Sequence, residues 1–175
     1  MTLGEADSRN RLTHVDEHGK AHMVDVTGKE MTLRVAEARC LVRTTADVVR
    51  LATDPSTGMD LMESARVAGI MAAKQTASLV PLCHPIRIDA IEVDVEVGGE
   101  GVHIRAVAAI VDRTGVEIEA LTACTVAALV VIQPLLSVDD TASIENLTVW
   151  HKSGGRSGAW TRSDNGGVRP VPDRT

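Results

Sequence analysis

Hydrophobic and polar residues alternate along the middle of this chain. Residues 86–97 read Ile-Arg-Ile-Asp and then Ile91-Glu-Val-Asp-Val-Glu-Val, a period of two that predicts a half-buried strand. The phase slips at Ala90-Ile91, which predicts a bulge. Gly98-Gly99-Glu100-Gly101 predicts a hairpin turn and residues 102–111 the returning strand. Its second half, from Ala106 to Val111, is apolar on both faces. One face can pack on helices of the same chain; the other needs a second cover, most simply another subunit.

The flanking segments have a helical period. Leu61, Ala65, Ala68, Ala72 and Thr76 recur along residues 60–78 and predict a helix that packs closely through small side chains. Pro81 and Pro85 end it. Thr114 with Glu117 three residues on predicts a capping box. The helix then runs toward Gln133, where Pro134 kinks or ends it. Residues 38–44 predict a short first strand, Asp54-Pro-Ser-Thr-Gly a turn, and residues 143–150 a last strand. The order β-α-β-β-α-β predicts an α+β fold, a ferredoxin-like two-layer sandwich. One domain is expected over residues 11–160, with a flexible segment 1–10 and a loose tail 161–175.

Composition narrows the function. With two Trp, no Tyr and no Phe among 175 residues, the core is aliphatic and no aromatic platform exists for stacking single-stranded nucleic acid. A net charge of −6 argues against a general nucleic-acid or membrane-surface binder. Cys40, Cys83 and Cys124 are odd in number and lack a CxxC spacing, so neither a disulfide framework nor a thiolate metal site is expected. No signal peptide is evident and no apolar run of about 20 residues stands out. The expected compartment is cytoplasmic.

Two stretches carry candidate chemistry. Leu82-Cys83-His84-Pro85 holds a histidine beside a stiff residue. Lys152-Ser153-Gly154-Gly155-Arg156-Ser157-Gly158 sets a cation at each end of a glycine run, an arrangement that wraps N–H groups and positive charge around phosphate. Together they predict a site for a small phosphorylated molecule. Read alone, His84 is more simply a core histidine satisfied by backbone and Glu117 can be only a helix cap; Lys152 and Arg156 could be a solvated turn, though the two glycines between them favour phosphate contact. Cys83 reads as buried rather than reactive. His22 is open to a structural role in the N-terminal arm. Arg66 and Lys74 lie on one face of the first helix and could serve a site or a subunit contact.

Six blocks in order carry a family resemblance: Leu12-Thr-His-Val, Ala21-His-Met-Val-Asp-Val, Ala65-Arg-Val-Ala-Gly-Ile with Ala72-Ala-Lys, Leu79-Val-Pro-Leu-Cys-His-Pro, Thr114-Gly-Val-Glu-Ile-Glu-Ala-Leu-Thr-Ala and Lys152-Ser-Gly-Gly-Arg-Ser-Gly. By these blocks the chain resembles the cyclic pyranopterin monophosphate synthase family, MoaC, of molybdenum cofactor biosynthesis. The resemblance implies a ferredoxin-like fold, homo-oligomers that are hexamers built from dimers, and lyase activity. The substrate would be a cyclic dihydroguanosine triphosphate derived from GTP, the products cyclic pyranopterin monophosphate and pyrophosphate. No cofactor and no metal are implied. Leu82, Cys83, His84, Ile118, Glu119, Lys152 and Arg156 are the implied substrate contacts, and His84, Glu117 and Lys152 the implied catalytic groups.

The chain departs from the family pattern at three positions. Gln133 stands where the family has an Asp, Leu136 where it has a Lys, and Gly58 where it has a second Lys. Gln exchanges no proton near neutral pH, and Leu carries neither charge nor donor. Loss of one proton-transfer group costs about 10² to 10⁴ in rate. The chain alone is therefore expected to turn over the family substrate slowly or not at all. The alternative is a non-catalytic paralogue that binds a pterin or purine phosphate, or that pairs with an intact homologue.

Overall fold

The structure is a computed structural model that describes residues 13–54, 60–156, 158–163 and 168–170. Its elements are β1 (Thr32–Arg43), α1 (Ala46–Ala52), α2 (Leu61–Lys74), α3 (Thr76–Leu79), β2 (Ala90–Gly98), β3 (Gly101–Asp112), α4 (Glu117–Leu135), β4 (Ser143–Ser153), β5 (Trp160–Arg162) and β6 (Val168–Pro170). The sheet order is β2-β3-β1-β4-β5-β6, antiparallel throughout. The first four of these strands, with α2 and α4, have the ferredoxin-like arrangement that the sequence pattern predicts.

One face of the sheet is buried under α2 and α4. Ala36, Ala38, Cys40 and Val42 of β1 point into that layer, as do Val102, Ile104, Ala106, Ala108 and Ile110 of β3. They meet Ala120, Ala123, Cys124, Ala127, Val131 and Leu135 of α4. Small residues allow this with few aromatics, because helix and sheet backbones can approach closely. At Gly69 of α2 an added Cβ would stand 3.0 Å from the carbonyl oxygen of Ala123. All three cysteines are free thiols.

Several boundaries differ from the sequence reading. β1 is much longer than residues 38–44, because its charged residues are satisfied in place. Arg34 Nε donates to the carbonyl of Asp112, and Glu37 pairs with Arg39 and Arg105 on the outer face. β2 begins only at Ala90, and its register with β3 is regular, so no bulge forms at Ala90-Ile91. The phase slip marks the strand's start. There the Asp89 carboxylate takes the Val111 N–H at 2.8 Å, which a continuing strand would have paired. The register shifts lie instead between β1 and β4, beside Trp150, over whose ring the Arg39 guanidinium sits at 4.2 Å.

The capping box also does not form. α4 starts at Glu117, its N-cap residue is Val116, and no side chain caps it. Thr114 lies two residues too early, and the Glu117 carboxylate is turned toward Lys152. Pro134 falls in the last turn of α4, close to its end, as expected. α4 is, by length and composition, apolar enough to cross a membrane, contrary to the expectation that no such run exists. Its composition follows from its place: nine of its residues, Glu119 among them, are buried in this fold.

Of the tail expected to be loose from residue 161, residues 161–162 lie in β5 and residues 168–170 in β6 at the sheet edge, and residues 164–167 and 171–175 lie outside the described residues. The expected flexible segment 1–10 lies outside the described residues, as do Gly58 and most of the turn expected at 54–58.

Candidate active site

The first turn of α4 meets the end of β4 at one edge of the sandwich. Lys152 pairs across the sheet with Ala36, so its side chain lies on the helix side of the sheet. There its Nζ donates to Glu117 Oε1 at 3.0 Å. Both side chains are more than two-thirds buried, which strengthens the pair relative to one on an open surface. After Lys152 the chain turns sharply through Gly154 and Gly155, with φ of +86° and +73°. At Gly154 an added Cβ would run into the Leu33 carbonyl, and at Gly155 into the Arg34 guanidinium. The glycines thus let the backbone close over β1 and set Arg34 under the turn.

The loop after α3 forms the opposite wall. Val80 N–H returns to Thr76 O at 2.9 Å and Cys83 N–H to Val80 O at 3.0 Å, so the chain folds back on itself before Pro85. This places two side chains. His84 Nε2 donates to the carbonyl of Val24 at 2.9 Å, tying the loop to the N-terminal arm. A neutral ring so held presents Nδ1 as an acceptor. Cys83 Sγ donates to Glu119 Oε1 at 3.3 Å.

Glu119 is the one buried carboxylate among the described residues, with 2% of its surface exposed. Burial raises its pKa, and the nearby Glu117 charge adds to that; its own backbone N–H, the Cys83 thiol and His84 pull the other way. The Cys83 thiol is pushed up to about 12, first by burial and then by the Glu119 charge beside it. At neutral pH it is an S–H donor and a poor nucleophile.

These walls enclose a cavity of about 1380 Å³, roomy enough for a nucleotide-sized ligand. Leu82, Cys83, His84, Glu117, Ile118, Glu119, Lys152 and Arg156, all candidates from the sequence, line it together. So do three basic residues that no candidate motif includes, His14, Lys29 and Arg34, together with Glu30. Arg34 had a visible signal. It stands two residues before Ala36 in the buried row of β1, where a charge needs a reason. Starting that strand at 38 concealed it. Lys29 and His14 sit in the arm before β1, which no periodicity marks. His22 is exposed, and its backbone N–H bonds to His14 O at 3.0 Å, bracing the arm. Arg66 and Lys74 do not line the cavity; Arg66 pairs with Glu63 on α2.

The cavity brings Lys29, Arg34, Lys152 and Arg156 against Glu30, Glu117 and the buried Glu119, on a chain whose net charge is −6. That local excess of cations suits a phosphorylated ligand. Two of the sequence candidates are elsewhere. Gln133 and Leu136 are exposed at the far end of α4. At 1.5 Å per residue, Gln133 lies about 24 Å along the helix from Glu117.

Known proteins resemble this chain along most of its length. The model of the MoaC family matches residues 23–155. A protein of a Nocardioides species named cyclic pyranopterin monophosphate synthase is 50% identical over 161 residues, covering 90% of this chain and 99% of its own length. One of the same name from Streptomyces coelicolor is 47% identical over 158 residues, covering 90% and 93%. Cyclic pyranopterin monophosphate synthase 2 of Mycobacterium tuberculosis strain H37Rv is 48% identical over 161 residues, covering 91% and 96%.

Proposed function

The chain belongs to the MoaC family, and we propose that its cavity receives the family's substrate, a cyclic dihydroguanosine triphosphate, for molybdenum cofactor biosynthesis in the cytoplasm. The observation that carries this reading is the gathering of eight sequence candidates from three separate segments around one cavity. The reaction releases pyrophosphate and leaves a cyclic phosphate on a pyranopterin. It asks the protein for cations at the triphosphate and for groups that accept and return protons during ring rearrangement.

The residues in place match those demands in part. Lys152 and Arg156 flank the glycine turn and would hold phosphate oxygens, with Arg34 beneath. The Lys152–Glu117 pair would open as phosphate arrives, releasing a carboxylate into the cavity at the same moment. His84, held through Nε2, offers Nδ1 to a proton. Glu119 supplies a second carboxyl in a drier setting, where burial raises its pKa.

A specific observation favours a second reading. The family's Asp and Lys positions carry Gln133 and Leu136, and within one copy they lie at the end of α4 away from the cavity. A neighbouring copy would have to bring that end to the cavity, and here it would bring neither proton-transfer group nor charge. On this reading the chain binds the substrate or its products without standard turnover, or completes its chemistry beside an intact homologue. The deciding experiment offers cyclic dihydroguanosine triphosphate to the purified protein, following pyrophosphate release and pterin fluorescence, with calorimetry of binding in parallel. Binding with little or no turnover is expected. Absence of binding to substrate, product and pyrophosphate alike would remove the cavity reading.

A further inference from the structure

Glu119 has two carboxyl oxygens in different circumstances. Oε1 accepts the Cys83 S–H at 3.3 Å. Oε2 is buried, and among the described residues nothing donates to it. A buried acceptor without a donor is costly and uncommon in a native fold, and it points to a partner outside the chain. Glu119 lines the cavity together with Cys83, so a ligand there can supply that partner.

We propose that Cys83 is a positioning residue: its thiol donates to Oε1, fixes the rotation of the Glu119 carboxyl, and leaves Oε2 to accept an N–H from the ligand's ring. The inference rests on the cavity reading given above. The ring it fits is a 2-amino-4-oxopyrimidine edge, common to guanine and pterins, which presents adjacent N–H donors. With Oε1 already engaged by the thiol, Oε2 is the oxygen left for that edge. No covalent step involves the sulfur. Its raised pKa keeps the proton on it at neutral pH, which is what a donor needs and a nucleophile does not. The function of the cysteine in Leu82-Cys83-His84 is then geometric: it orients one carboxyl on the neighbouring helix.

The test separates the ring from the phosphates by calorimetry with two probes, cyclic dihydroguanosine triphosphate and pyrophosphate. Cys83→Ala removes the donor and should weaken the triphosphate about tenfold, leaving pyrophosphate within about twofold of the unmodified protein. Cys83→Ser keeps a donor and should restore most of the loss. Equal triphosphate binding by Cys83→Ala and the unmodified protein overturns the proposal. So does a Cys83→Ser protein as weak as Cys83→Ala, since that would mark packing rather than hydrogen bonding. Should Cys83→Ala not fold, Glu119→Gln serves instead, because its amide places an N–H where Oε2 stood. A similar tenfold loss confined to the triphosphate is expected, and unchanged binding overturns the proposal. If the unmodified protein binds neither probe, the cavity reading itself fails and this inference goes with it.

Discussion

Lys152 and Glu117, 35 residues apart in sequence, meet at 3.0 Å and join the end of strand β4 to the first turn of α4. The contact ties together the two elements that build the cavity, and it holds the Lys152 charge in readiness inside the cavity. Lys152→Ala should therefore weaken pyrophosphate binding about tenfold and flatten its dependence on salt. Calorimetry at two ionic strengths checks both effects. An unchanged salt slope would place the phosphate elsewhere.

Restoring the family's groups at the far end of α4 should act as a pair. Gln133→Asp with Leu136→Lys is expected to raise turnover more than the product of the single changes, by roughly 10² or more if both groups are then in play. Pro134 lies between them in the last turn, and Pro134→Met in the same background should increase the gain by letting the turn close normally. Rates in the assembled protein, measured by pyrophosphate release, decide it. Turnover by the unmodified protein comparable to an intact homologue would make all three changes superfluous.

Burial of Glu119 sets a direction for stability against pH. Its pKa in the fold is raised, so the folded state holds the proton more tightly than the unfolded state does. Stability from this group is greatest below the ordinary glutamate value of about 4.3 and falls as pH rises from there to the raised folded value. Glu119→Gln, which is permanently neutral, should melt close to the unmodified protein at pH 4 and above it at pH 7. Thermal denaturation of the two proteins across that range is the measurement. Equal melting points at both pH values would contradict a raised value.

Gly154 has φ of +86° and no room for a side chain above the Leu33 carbonyl. Gly154→Ala is expected to destabilise the fold by about 2 kcal/mol, of which the left-handed backbone alone accounts for roughly 1. Because the turn carries Arg156 and follows Lys152, pyrophosphate affinity should fall with it. Urea denaturation and calorimetry on the same preparation give both numbers.

The outer face of the sheet predicts assembly. Leu33 and Val111 are paired neighbours, 61% and 50% exposed, and Val35, Val107 and Ala109 extend the same apolar face. We expect an oligomer, a hexamer on the family pattern. Sedimentation at micromolar concentration checks the state, and a stable monomer would refute it. Val111→Lys together with Leu33→Lys should shift the distribution toward smaller species.

The order of the main elements was legible because β2, β3, α2 and α4 each bury one face and so carry a clear period. β1 reads short because Arg34 and Glu37 break the apolar run before Ala38. Their partners, Asp112 for Arg34 and Arg39 and Arg105 for Glu37, lie on another strand or further along β1, and no local pattern announces them. Glu117 was read as a cap for the same reason: its true partner is far along the chain. Among the cavity residues, those in the blocks around His84, Glu117 and Lys152 are visible in the sequence. Arg34 is hidden inside a strand. His14 stands in the Leu12-Thr-His-Val block with nothing beside it to mark a site, and Lys29 belongs to an arm whose position is fixed by single contacts such as His84 to Val24, which leave no trace in the sequence.

The length of α4 separates two fates. Its first turn shapes the cavity, while Gln133 lies in its last turn and Leu136 just after it, with about four helical turns of shared core between. Changes at the far end need not disturb the near one. Selection can thus discard the chemistry and keep the grip on the ligand, and a lineage that lost turnover could still inherit a working receptor for the same molecule.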